Sequence, residues 1–191
     1  MPGAEFTMLV QRERACLLII DMQERLLPAM AGLEPLLHQA GILIRAAKRL
    51  DLPILVSEQY PKGLGPTDPA LRGLLGNEVS PLPKTHFSCA DDPGLKAELL
   101  ALAEQGRDQA VILGVEAHVC VLQTALGLPQ LGLAPFVVAD AVASRRPESR
   151  QLALDRMARD GVEIVTTEMM LFEWLGQAGT PEFKELSALI R

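Results

Sequence analysis

The chain is short of the residues that build metal centres and disulfide frameworks. Its 191 positions hold three cysteines, Cys16, Cys89 and Cys120, and three histidines, His38, His86 and His118. The cysteines are odd in number and form no CxxC pair. Neither a disulfide scaffold nor a zinc cluster is expected, and a reducing, cytoplasmic setting is. No apolar run reaches the ~18–20 residues needed to span a bilayer. Positive charge is also scarce: 18 Lys and Arg stand against 24 Asp and Glu, a net charge of −6. That balance argues against a nucleic-acid backbone or an anionic membrane as the main partner, although Arg145, Arg146 and Arg150 form a local basic group. There is no internal repeat and no low-complexity tract. After the first apolar run the chain reads Asp21-Met22-Gln23-Glu24, with no glycine-rich phosphate loop, which weighs against a nucleotide binder.

What is present is the balance of a globular protein, 49% hydrophobic and 22% charged. The length suits one domain with a sizeable core, expected over residues 15–191. Residues 1–14 read as a short arm. With Glu5 and Glu13 and no long apolar core, the arm is not expected to be a secretory signal.

Apolar runs and helical spacings alternate. Ala15 to Ile20 is a continuous apolar run, the mark of a strand buried on both faces, and it ends at Asp21. Further strands are expected at Pro53–Ser57, near Lys84, at Ala110–Leu113, at Pro135–Ala139 ending at Asp140, and at Gly161–Val165. Helices are expected at Pro35–Leu50, Asp92–Glu104, Ala117–Leu128 and Pro147–Arg159. The first carries Arg45, Lys48 and Arg49 in its last turns, where cations suit the dipole. The last has proline at the first position, where a missing N–H costs nothing. Strands alternating with helices imply parallel pairing and right-handed crossovers, hence a three-layer α/β/α doubly wound fold with a mainly parallel sheet. Ligands in such sheets bind beyond the carboxyl ends of the strands.

Three regions stand apart. Gln59 to Pro83, rich in proline and glycine, is longer than the ~12–15 residues usual for a structureless connection. It reads as a surface loop with a short helix near Pro69–Leu75, or as a pocket wall or lid. Met169 to Leu175 is a dense apolar helix holding the chain's one tryptophan, Trp174; it closes the core or meets another subunit. Thr180 and Pro181 have the form of an N-cap and first position of a short terminal helix.

Cys120 lies where a strand-like stretch turns through Gly114 into a helical one. In the first turn of a helix, unpaired N–H groups and the dipole favour thiolate over thiol. Such a nucleophile needs a proton acceptor and a cation; Asp21 and Lys84, both near strand ends, supply these types. Taken singly, each has a plainer reading: an inert buried thiol, a carboxylate closing a strand, a solvated lysine.

The set as a whole resembles the isochorismatase-like cysteine hydrolases. The resemblance runs from about Ala15 to Trp174. It is carried by Asp21-Met22-Gln23, Ser57-Glu58-Gln59, the Gly63-Leu64-Gly65-Pro66-Thr67 loop, Lys84 before Phe87-Ser88, Gly114-Val115-Glu116-Ala117-His118-Val119-Cys120, Val138-Ala139-Asp140-Ala141 and Ser144-Arg145. The chain looks closest to isochorismatase-domain hydrolases of unassigned substrate. The resemblance implies a catalytic triad of Asp21, Lys84 and Cys120. It also implies a cis peptide at Val115-Glu116, and an oxyanion hole made by the N–H groups of Glu116 and Cys120, each such donor worth roughly 3–4 kcal/mol in a transition state.

Nicotinamidases of that superfamily carry an Asp and a His as metal ligands after the second strand, where this chain reads Glu58-Gln59-Tyr60-Pro61. No metal and no other cofactor is expected. His38 falls in a helix and reads as solvated, His86 lacks a partner pattern, and His118 reads as packing or capping. Around the triad, Gln23, Gln59, Tyr60, Phe87 and Arg145 are candidate substrate-pocket residues. Their plainer readings are a helix-start polar residue for Gln23, packing for the aromatics and solvation for Arg145. Cys16 reads as core, and Cys89 as semi-exposed and without a role.

The expected activity is metal-independent hydrolysis of a small amide or carbamoyl compound through a Cys120 thioester. Isochorismatase-type vinyl-ether hydrolysis and a non-catalytic binding or assembly module are the alternatives. The expected partner is a small molecule, within a homo-oligomer, dimer or larger.

Overall fold

A computed structural model describes residues 9–190. Its elements run β1 (Ala15–Ile20), α1 (Leu33–Arg49), β2 (Ile54–Gln59), α2 (Pro61–Leu64), α3 (Pro69–Leu75), β3 (Leu82–Lys84), α4 (Pro93–Glu104), β4 (Gln109–Val115), a π-type turn (Ala117–Val121), α5 (Leu122–Gly127), β5 (Ala134–Ala143), α6 (Pro147–Arg159), β6 (Glu163–Val165), α7 (Thr167–Leu175) and α8 (Pro181–Leu186). The six strands form one sheet in the order β3-β2-β1-β4-β5-β6, and every pairing is parallel. The doubly wound α/β architecture implied by the alternation is the one observed.

Strand residues alternate between two apolar layers because successive side chains leave a strand on opposite faces. Leu17, Ile19, Val111 and Leu113 pack on one side with α1, α3 and α7. Cys16, Leu18, Ile20 and Ile112 pack on the other with α4, α5 and α6. With both faces covered, β1 and β4 are buried at every position, so their sequences read as continuous apolar runs. Capping follows composition. The Asp92 carboxylate accepts from Gly94 N–H and Leu95 N–H at the start of α4, Asp68 caps α3 and Thr180 caps α8.

Several boundaries differ from the sequence reading. β5 runs on past Asp140 to Ala143 because its pairing with β4 shifts register between Ile112 and Gly114. The Asp140 carboxylate instead accepts the N–H and hydroxyl of Thr167, both at 2.9 Å. The stretch Ala117–Leu128 is not one helix; the π-type turn precedes α5, and a 3-10 turn, Leu128–Leu131, follows it. Gln59–Pro83 holds α2 and α3 rather than one short helix.

Of the expected arm, residues 1–8 lie outside the described residues. In the rest, Val10 is buried and its N–H donates to Glu173, and Arg14 holds Asp108 through two hydrogen bonds. In α7, Met170, Leu171 and Trp174 enter the core, while Met169 and Phe172 stay exposed. Among the described residues no helix is long and apolar enough to cross a membrane.

Candidate active site

The strand order reverses direction between β1 and β4, the place where doubly wound sheets generally bind ligands. Asp21 follows β1 on one side of that point, and Cys120 lies in the turn after β4 on the other. Lys84 closes β3 two strands away and reaches back. The close approach of β1 and β4 needs a glycine. At Gly114, φ is +125° and an added Cβ would lie 2.0 Å from the carbonyl oxygen of Ile20. Asp21 takes a left-handed conformation, φ 53°, which aspartate tolerates better than most residues. The Val115–Glu116 peptide bond is cis.

Asp21 and Lys84 form a fully buried ion pair. Lys84 Nζ donates to Asp21 Oδ2 at 2.8 Å and to Gln59 Oε1 at 2.6 Å, with the carbonyls of His86 and Phe87 each at 3.2 Å. The other carboxylate oxygen, Asp21 Oδ1, accepts the Ser57 hydroxyl at 2.7 Å. Both charges are thus paired and hydrogen-bonded, the condition under which buried charges persist. Burial by itself pulls the Lys84 pKa down. The Asp21 carboxylate, followed by Cys120 and Cys89, outweighs it, and the net shift is upward.

Cys120 shares this cluster, only 6% exposed. Here the electrostatics run against the sequence reading. Burial is the largest influence on the thiol and pushes its pKa up; Asp21 adds to the rise, and Lys84 opposes it without reversing it. The resting group is a neutral thiol, not a helix-stabilised thiolate. The wide π-type turn around it starts from Glu116, whose carbonyl accepts the N–H groups of Val119 and Val121.

Cys89, read from sequence as semi-exposed, is fully buried, its backbone N–H donating to Thr124 Oγ1 at 2.9 Å. Thr124 stands one helical turn after Cys120. Burial, reinforced by Asp21, pushes the Cys89 thiol up to about 11.

The expected pocket residues separate into groups. Gln23 is not at a pocket mouth. It is completely buried, its Nε2 donating to the carbonyls of Gln59 (3.0 Å) and Gly65 (2.7 Å) and its Oε1 accepting Gln59 N–H at 2.8 Å. A strand-end polar side chain has satisfied loop backbone rather than faced solvent. Gln59 sits against the ion pair through Lys84 and reaches Thr85 through its amide. Tyr60 and Phe87 are the two exposed aromatics beside the site, 56% and 53% accessible. Tyr60 is held in place: its N–H donates to Lys84 O, and its ring lies over Gly63, where a Cβ would meet ring carbon at 2.6 Å. Arg145 donates from its backbone N–H and its Nε to Glu116 Oε2, both at 3.1 Å.

Two partnerships had no sequence signal: the Ser57 hydroxyl on Asp21, and the Glu116 carboxylate on Arg145. The first hides in ordinary strand alternation, the second joins residues 29 apart. His86 has a partner after all, Asp92 at 3.4 Å, and His118 Nδ1 lies 2.9 Å from Ser144 Oγ. Among the described residues no group of three or more His, Cys, Asp or Glu side chains is placed to hold a metal ion. Glu58, at the nicotinamidase-ligand position, turns to the N–H and hydroxyl of Thr67 at 2.6 and 2.7 Å.

A carboxylate, an ammonium and a thiol are thus buried together near the switch point of a parallel doubly wound sheet. The isochorismatase domain model matches residues 15–169, and the chain belongs to the isochorismatase-like hydrolase family. It is 38% identical over 182 residues to isochorismatase domain-containing protein 2A of Mus musculus, covering 94% of this chain and 84% of that protein. It is 41% identical over 172 residues to isochorismatase domain-containing protein 1 of Salmo salar, covering 90% of this chain and 59% of that longer relative. Among solved structures, a MAR1 ribonuclease from Caenorhabditis elegans superposes with a TM-score of 0.87 at 34% identity, covering 95% of this chain and 92% of that one. The YcaC gene product of Escherichia coli, described as an octameric hydrolase of unknown specificity, superposes at 0.85 with 24% identity, covering 99% and 92%.

Proposed function

We propose that the protein is a metal-independent cysteine hydrolase of small amide or carbamoyl compounds, with Asp21, Lys84 and Cys120 as its catalytic residues. The observation that supports this most is the fully buried Asp21–Lys84 pair, 2.8 Å apart, in the cluster that Cys120 shares. Because that thiol rests neutral, Asp21 takes its proton as sulfur attacks the carbonyl carbon. The oxyanion lies against the N–H groups of Glu116 and Cys120. Protonated Asp21 then gives its proton to the leaving amine, and the C–N bond breaks to leave a thioester. Water, deprotonated by Asp21, cleaves the thioester and restores the thiol. Lys84 remains an ammonium throughout, holding the carboxylate in position and balancing its charge. Gln59, Tyr60, Phe87 and Arg145 border the substrate. The protein works in a reducing cytoplasmic setting as a homo-oligomer, in keeping with the octameric YcaC relative.

The test is turnover of a library of small primary amides and ureides by wild type, Cys120→Ala and Asp21→Asn. Loss in both variants supports the thioester route. Activity on a vinyl ether retained in Cys120→Ala but lost in Asp21→Asn would replace it with ether hydrolysis. Failure of every substrate with an unreactive Cys120 would leave a binding module. The ribonuclease name of the similar Caenorhabditis elegans structure adds one more arm: single-stranded RNA cleaved by wild type and not by Cys120→Ala would move the site to that chemistry.

A further inference from the structure

Arg145 and Arg146 stand together in the turn between β5 and α6, and with His118 and Ser149 they line a cavity of about 440 Å³. The chain as a whole carries a net charge of −6, so two adjacent guanidinium groups on one concave surface are out of keeping with it. Arg146 is exposed, and its side chain has no hydrogen-bond or ion-pair partner among the described residues. Arg145 meets Glu116 through its backbone N–H and Nε; its terminal nitrogens have no hydrogen-bond partner among the described residues. Glu148, in the first turn of α6, is not among the lining residues. Positive charge at the cavity therefore exceeds negative.

The recognition groups here are side chains rather than the end of a helix. Pro147 has no N–H, and the N–H groups of Ser149 and Arg150 already donate to the Arg146 carbonyl. His118 uses Nδ1 on Ser144, which leaves Nε2 for a ligand, and Ser149 adds a hydroxyl. Planar guanidinium groups with spare N–H edges match carboxylate and phosphate oxygens in pairs. The cavity is also tied to the nucleophile. His118 belongs to the turn that carries Cys120, and Glu116, at the start of that turn, shares Arg145 with anything bound in the cavity.

We propose that this cavity is a binding site for one small oxyanion group, a carboxylate or phosphate, held chiefly by Arg146 with Arg145 shared between the ligand and Glu116. The group is either the acidic end of the substrate or a free anion. The first case rests on the hydrolase reading above and narrows the substrate class to acidic amides.

The test uses the whole protein with three probes: inorganic phosphate, succinamate as an acidic amide, and succinamide as its neutral counterpart. Binding is followed by the backbone amide resonances of Ser149 and Arg145, which needs no turnover. Phosphate and succinamate are expected to shift both resonances saturably, and succinamide is not. Arg146→Gln should weaken anion binding by about tenfold or more. Arg159→Gln, the same charge change at an exposed position in the last turn of α6, should leave it unaltered. Succinamate hydrolysis with a KM raised about tenfold in Arg146→Gln and kcat within about twofold would place the anion on the substrate. Saturable phosphate binding that no amide displaces would make it a free-anion site; both results support the proposal. Absence of any saturable shift with either anion at millimolar concentration, or an equal loss in Arg159→Gln, overturns it. A protein inert to every amide but still binding phosphate through Arg146 would defeat the hydrolase reading alone.

Discussion

Lys84 Nζ lies 2.8 Å from Asp21 Oδ2, and neither side chain has any exposed surface. Removing one member of such a pair strands the other as a buried charge. Lys84→Met alone is expected to destabilise the protein by about 3–5 kcal/mol, while the double variant Asp21→Asn, Lys84→Met recovers a large part of that. A double-mutant cycle by urea unfolding checks the coupling. Additive losses would mean that the two charges do not support each other.

Alkylation of Cys120 should report a thiol, not a thiolate. Since burial and Asp21 raise its pKa, the rate of labelling by iodoacetamide should climb with pH through 8.5 without levelling. Lys84→Met should slow it further by removing the one opposing charge. Labelling read by mass spectrometry from pH 6 to 10 decides the point; a plateau below pH 8 would contradict the electrostatics described here.

Stability should fall on the alkaline side. Burial pushes the Cys16 thiol up to about 12 and the Cys89 thiol up to about 11, whereas in the unfolded chain both ionise near the ordinary thiol value of 9.0. Folded pKa values above unfolded ones give stability that is complete below about pH 9 and is lost as pH rises towards 11 and 12. Each thiol should contribute about 1 kcal/mol of loss between pH 8 and pH 10. Urea midpoints measured across that range should show a shallower decline in Cys16→Ala than in the wild type.

Gly114→Ala should be far worse than an ordinary glycine substitution. Its Cβ would sit 2.0 Å from Ile20 O in the middle of the sheet, whereas Gly106, also at positive φ, has open space around it. More than about 3 kcal/mol is expected for the first and about 1 kcal/mol for the second, readable as thermal midpoints. Similar losses at the two positions would refute the close approach.

Gln23→Ala separates a structural strut from a pocket residue. Three hydrogen bonds to the backbone of Gln59 and Gly65 disappear, with an expected loss of about 2–3 kcal/mol and earlier proteolysis between Tyr60 and Thr67. An unchanged stability with an altered KM would put Gln23 at the substrate instead.

Much of this architecture was legible in the one-dimensional pattern. Continuous apolar runs such as Ala15–Ile20 declare strands covered on both faces. Proline and capping residues mark helix starts at Pro147 and Thr180 within a residue of where they lie, because caps are local chemistry. The alternation of the two signals specifies a doubly wound sheet, and the motif around Gly114–Cys120 specifies the family. Register and environment were not legible. That β5 continues beyond Asp140, that Gln23 is a strut and Cys89 a buried thiol, depends on which groups arrive from about 30 to 40 residues away.

The sequence by itself determined the layered fold and the residue types at the strand ends, since periodicity and turn chemistry act over a few neighbouring positions. Only the tertiary structure decided that Asp21 and Lys84 meet in full burial, that burial and Asp21 raise the pKa of the Cys120 thiol, and that Arg145 and Arg146 line a cavity with His118 and Ser149. Those outcomes are set by burial and by charges brought together across the sheet, and desolvation has no local signature along a chain.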